Sequence, residues 1–196
     1  MFDKLLSIAN ARPLYRSLWF LLVMIVVMNL GATAFYRYTH GVGILDTAGG
    51  ANILDNRMGG YSPETAYKMI AAYGKQGIRY HLLLTAGDIV FPPSLALFFA
   101  IAITYFYSRL FSSRQVLRWL LVLPAIYLAA DYLENVSIVT MLLSFPRPLS
   151  MVAVIANTMF TIKNLSSAAA AMTTVIGLSA WLFHRARKLS ATVSQS

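Results

Sequence analysis

Between Leu117 and Phe145 the chain stays apolar for long enough to cross a bilayer, and inside that run sit Asp131, Glu134 and Asn135. About 20 apolar residues span the hydrocarbon core, so the run predicts a membrane helix with its acids deep inside. The i, i+3, i+4 spacing places the three polar side chains on one helical face, with Tyr127 one turn before and Ile138 one turn after. An ionisable group at that depth costs at least ~2.5 kcal/mol on insertion scales, so it is expected where a partner or a water-filled cavity receives it.

Three other apolar runs share this character. Residues 17–36 and 150–183 read as spanning helices, and so does 81–107, where Pro92-Pro93 follows Asp88. Two consecutive prolines remove two backbone donors, which predicts a kink or break there and free carbonyls at residues 88 and 89. A signal peptide competes for the first run, since Ala32 and Ala34 mimic a cleavage site; the segment is expected to stay as a helix. Asn29 is its only strongly polar side chain and is expected to bond another helix. The fold class is therefore all-α: an integral membrane four-helix bundle in a single domain, 1–188, with a polar tail over 189–196. A hydrophobic content of 58% fits that reading and excludes an ordinary soluble domain.

The loop over 37–80 is punctuated by glycines and contains a helix start at Ser62-Pro63-Glu64, with Ser62 as N-cap and Pro63 in the first turn. A short amphipathic helix follows, carrying Tyr67, Ile70, Ala71 and Tyr73 or Gly74 and ended by Gly74 and Gly77. It is expected to lie on the membrane surface over the mouth of the bundle. The glycine pairs match no nucleotide-binding pattern. In the last run, Ser166 to Ala171 and Gly177 form a small-residue stretch that lets a neighbouring helix approach closely.

A net charge of +9 does not point to nucleic acid, because the basic residues sit at the ends of apolar runs rather than in a patch interleaved with exposed aromatics. They read as orientation and lipid-headgroup signals, and their bias puts both termini in the cytoplasm. Short loops suit a bacterial inner membrane. The absence of cysteine removes disulfides, thiolate metal sites and dithiol redox chemistry, and with them the thiol-based four-helix quinone oxidoreductases. His40 and His81 fall at the outer interface and His184 at the inner one, so each is expected to be solvated there. No residue pattern specifies a cofactor, and no metal site is expected.

With each helix centred on the bilayer, Asp131 falls near the midplane, Glu134 and Lys163 about 4 to 5 Å outward, and Asp88 about 9 Å outward. Three spans thus bring Asp88, Asp131, Glu134 and Lys163 into one layer. As ligand-binding residues these four join Asn135, Tyr127 and Asn157. In one reading they bind and translocate a small molecule, cation or proton, which with so few helices predicts a homo-oligomer. In a second, Asp88, Asp131, Glu134 and Lys163 are the catalytic groups of an intramembrane enzyme acting on a lipid or isoprenoid by carboxylate acid–base chemistry. In a third, Lys163 pairs with Glu134 or Asp131 only to set helix register in a subunit of a membrane complex. Small residues facing outward on the last helix would favour the third. Membrane lipids are partners in every case.

Overall fold

The computed structural model describes residues 59–111 and 114–193, together with Trp19, Leu22, Val23, Val26, Leu30 and Leu54. Those five positions of the first apolar run are helical and exposed. The rest of that run, Asn29, His40 and most of the loop before residue 59 lie outside the described residues. Among the described residues every regular element is a helix: α1 (Pro63–Gly87), α2 (Phe91–Leu110), α3 (Arg114–Leu120), α4 (Val122–Ser144) and α5 (Ser150–Val193). Three helical stretches, Pro63–Leu110, Gln115–Ser144 and Ser150–Arg187, are long and apolar enough to cross a membrane.

The local chemistry of the sequence sets the start of α1. Ser62 Oγ accepts from the Thr65 N–H at 3.2 Å, and Pro63 opens the helix where its missing donor is harmless. The Glu64 carboxyl is held below the usual carboxylate range by a hydrogen bond to its own backbone N–H, then by the Ser62 hydroxyl. Gly74 breaks α1 with φ 61°, a conformation that favours glycine, so the element consists of two arms. The first arm is the expected loop helix. Its apolar face is covered by protein rather than left to a bilayer surface: Ala66, Met69, Ile70 and Tyr73 pack with Ile138, Met141 and Leu142 of α4 and with Ala153 and Ala156 of α5. The Tyr67 hydroxyl also accepts from the Leu149 N–H at 2.7 Å, tying this arm to the turn between α4 and α5.

The second arm begins six residues earlier than the expected span and stops at Gly87. After the turn at 88–90, α2 starts with Pro92 and Pro93 in its first positions, so the prolines initiate a helix rather than kink one. Both carbonyls released by the prolines have donors. Asp88 O accepts from the Phe91 N–H at 3.3 Å, and Ile89 O from the Tyr132 hydroxyl of α4 at 3.0 Å. They are therefore not the vacant ligands that the sequence suggested.

A second apolar cluster, Phe99 and Ile103 of α2, Leu117 of α3 and Ala170 of α5, packs the other end of the molecule. The expected small-residue face is used here, inside the chain. Ser166, Ala170 and Gly177 are buried, a Cβ at Gly177 would meet Phe106 and Tyr107, and the Tyr107 hydroxyl donates to Thr173 O at 3.1 Å. The outward face of α5 carries Met151, Leu165, Met172, Val175 and Ile176 instead, large apolar side chains suited to lipid. At 44 residues α5 extends about 66 Å, roughly twice a hydrocarbon core, and stays helical through Val193, where a polar tail was expected from residue 189.

Candidate functional site

The buried stripe of α4 contains Tyr127, Asp131, Glu134 and Ile138, the i, i+4, i+7, i+11 series of one helical face. Antiparallel packing of α5 sets Lys163 opposite Glu134, between the apolar cluster around Ile70 and Ile138 and the one around Phe99 and Ile103. Lys163 Nζ lies 2.6 Å from Glu134 Oε2 and 3.5 Å from Asp131 Oδ1. One ammonium is thus shared unequally by two carboxylates. The second oxygen of Asp131 accepts from Asn135 Nδ2 at 3.1 Å. Glu134 is 0% and Asp131 4% exposed, so both carboxyl groups have exchanged water for these neighbours.

Tyr127, itself buried, lies within electrostatic reach of Asp131, Asp88 and Glu134. Asp88 caps α1, its N–H donating to Leu84 O at 3.0 Å, and it sits at the break before α2. Among the described residues no three His, Cys, Asp or Glu side chains close together as a metal cage.

Asn157 does not join the cluster. Its Oδ1 accepts from the Tyr61 N–H at 2.9 Å, holding the Gly59-Gly60-Tyr61 approach to α1 against α5. Gly60 has φ 76°, and a Cβ there would collide with the Asn157 carboxamide, so both the backbone conformation and the space call for glycine. The hydroxyls of the spans are absorbed locally: Thr85, Thr104, Ser137 and Thr174 each donate to the carbonyl four residues earlier, which conceals them inside their own helices.

His81 overturns its expectation. It is 1% exposed, not solvated at an interface, and its ring packs edge-on against Tyr73 at 5.6 Å between centroids. The signal for this was the His81, Thr85, Asp88 spacing, which places the histidine on the inward face of α1. His184 is exposed, as expected. Tyr132 is the other residue whose part was not foreseen; it flanks the acids in sequence but points to the α1–α2 break.

Chemically, the arrangement can hold a proton on either of two buried carboxylates, with one cation near enough to set which of them is charged. Comparison with known protein families, characterised proteins and solved structures yields no match to this chain.

Proposed function

We propose that this chain is a small integral membrane protein that binds and translocates protons through the Asp131–Glu134–Lys163 cluster. Asp88 and Tyr127 are the next groups in the path. The observation that carries this reading is the sharing of Lys163 between two buried carboxylates at unequal distances, 2.6 and 3.5 Å. A proton arriving at Glu134 weakens its hold on the ammonium and strengthens that of Asp131, so the two carboxylates are coupled through a cation that needs to move little. Ionisable groups at membrane depth are the usual components of such relays. Carboxylates already at ion-pair distance accommodate a proton more readily than a ligand of several atoms, and three acids that do not close into a cage suit a proton better than a metal cation.

In this reading the 17–36 segment completes a four-helix bundle, the loop end with α1 faces the periplasm of a bacterial inner membrane, and both termini are cytoplasmic. A continuous path is formed in an oligomer.

A second reading has its own observation. The 2.6 Å contact between Glu134 and Lys163 clamps α4 to α5 and fixes their register, a structural use of the same residues. Proton flux into liposomes carrying the purified protein and a trapped pH-sensitive dye separates the two. Expected is flux well above that of empty liposomes, lost in Glu134→Gln and in Asp131→Asn with helicity retained, and a pH-dependent carboxylic acid band in the infrared difference spectrum that Glu134→Gln removes. Flux no greater than in empty liposomes, with Glu134→Gln acting only on thermal stability, leaves the clamp.

A further inference from the structure

At the end of α2 and α5 remote from α1, two guanidinium groups from different helices flank one aromatic pair. The Arg109 guanidinium carbon lies 3.6 Å from the Tyr105 ring centroid, and Arg109 Nη1 donates to Tyr105 O at 2.9 Å. The Tyr105 ring lies 5.9 Å from Trp181 of α5, and Arg185 reaches over Trp181 at 5.4 Å. Phe106, at 6.0 Å from Trp181, closes the apolar floor beneath them. Both arginines are exposed while the rings between them are partly buried.

Each guanidinium is therefore oriented by a ring contact before any ligand arrives, and Arg109 keeps N–H donors beyond the one given to Tyr105. Among the described residues no acid neighbours these arginines in the chain: Glu64 begins α1, Asp88 lies at the α1–α2 turn, and Asp131 and Glu134 are buried in the middle of α4. Arg187, two residues beyond Arg185, adds a further positive charge at this end.

We infer that the Arg109–Tyr105–Trp181–Arg185 surface is a binding site for the phosphodiester headgroup of an anionic glycerophospholipid in the leaflet at this end. The two guanidinium forks receive phosphate oxygens, and the partly buried rings and adjoining apolar side chains of α5 receive the glycerol and upper acyl chain. Anionic lipid is favoured over a soluble phosphate because the site lies where α2 ends and α5 runs on beyond it, with Leu182 exposed beside it. This inference rests on the membrane location and not on proton binding.

The test is native mass spectrometry of the full chain in detergent, titrated with phosphatidylglycerol or phosphatidylcholine, for wild type, Arg109→Gln, Arg185→Gln and Arg187→Gln. Arg187 supplies the matched control. It stacks over Phe183 at 4.4 Å, on a different face of α5, and its loss changes the charge equally. Expected is one retained phosphatidylglycerol in preference to phosphatidylcholine, with affinity about fivefold weaker for each of Arg109→Gln and Arg185→Gln and less than twofold weaker for Arg187→Gln. Equal losses in all three variants, or no preference between the two lipids, would overturn the site. Competition by glycerol phosphate at the concentration that binds the lipid would overturn the assignment to lipid.

Discussion

Replacing Lys163 by Met removes the ammonium from a layer in which Glu134 is 0% and Asp131 4% exposed. At an effective dielectric of about 20, the attractions over 2.6 and 3.5 Å amount to about 6 and 5 kcal/mol before desolvation. Desolvation offsets much of that gross figure, and breaking one buried pair costs about 3 to 5 kcal/mol because a charge is left without its counterion. Lys163→Met is therefore expected to lose about 3 to 5 kcal/mol, and Glu134→Gln slightly less, since Asp131 remains to receive the ammonium. The double variant removes the charge together with its partner. It is expected to be less destabilised than the sum of the singles by about 2 to 3 kcal/mol, the coupling typical of side chains in direct contact. Unfolding in detergent, followed by circular dichroism against added dodecyl sulfate, measures all four corners of the cycle. Additivity within about 0.5 kcal/mol would refute the reasoning, because uncoupled residues cannot be sharing an ion pair.

Tyr132→Phe removes the donor to the Ile89 carbonyl and is expected to destabilise by about 1 kcal/mol. Hydrogen exchange should show faster opening of the amides that follow the 88–90 break, whereas unchanged rates would mean that this bond does not hold the α1–α2 turn to α4. Gly60→Ala places a Cβ against Asn157 at φ 76° and is expected to lose about 1 to 3 kcal/mol. Asn157→Ala should relieve the clash but leave the Tyr61 N–H without its acceptor, so the pair of substitutions is expected to be non-additive in the same unfolding assay. His81, buried against Tyr73, should resist acylation by diethyl pyrocarbonate in the folded protein while exposed His184 reacts. Equal reactivity of the two histidines by peptide mapping would contradict the inward placement of His81.

Most of the helical architecture follows from patterns confined to single segments. Bilayer-length apolar runs, the Ser62-Pro63 start, the Gly74 stop and the loss of donors at Pro92-Pro93 are properties of a few neighbouring residues, and the described helices agree with them to within several positions. The common face of Tyr127, Asp131 and Glu134 is equally local, because helical periodicity fixes which side chains of one helix share a side. Depth along each span, estimated by rise per residue, was enough to place Lys163 beside the acids of α4. What no single segment contains is the rotation of one helix against another. Only the packing of α5 on α4 decided that Glu134 takes the short contact with Lys163 and Asp131 the long one. Asn157 lies on the same helix as Lys163, but an approach from the Gly60 side captured it first. His81 and Tyr132 were misjudged for the same reason. The surroundings of His81 come from Tyr73 across the bend at Gly74, and those of Tyr132 from the Ile89 carbonyl of a turn 43 residues away, contacts that depend on how the chain folds back and not on one helix's periodicity.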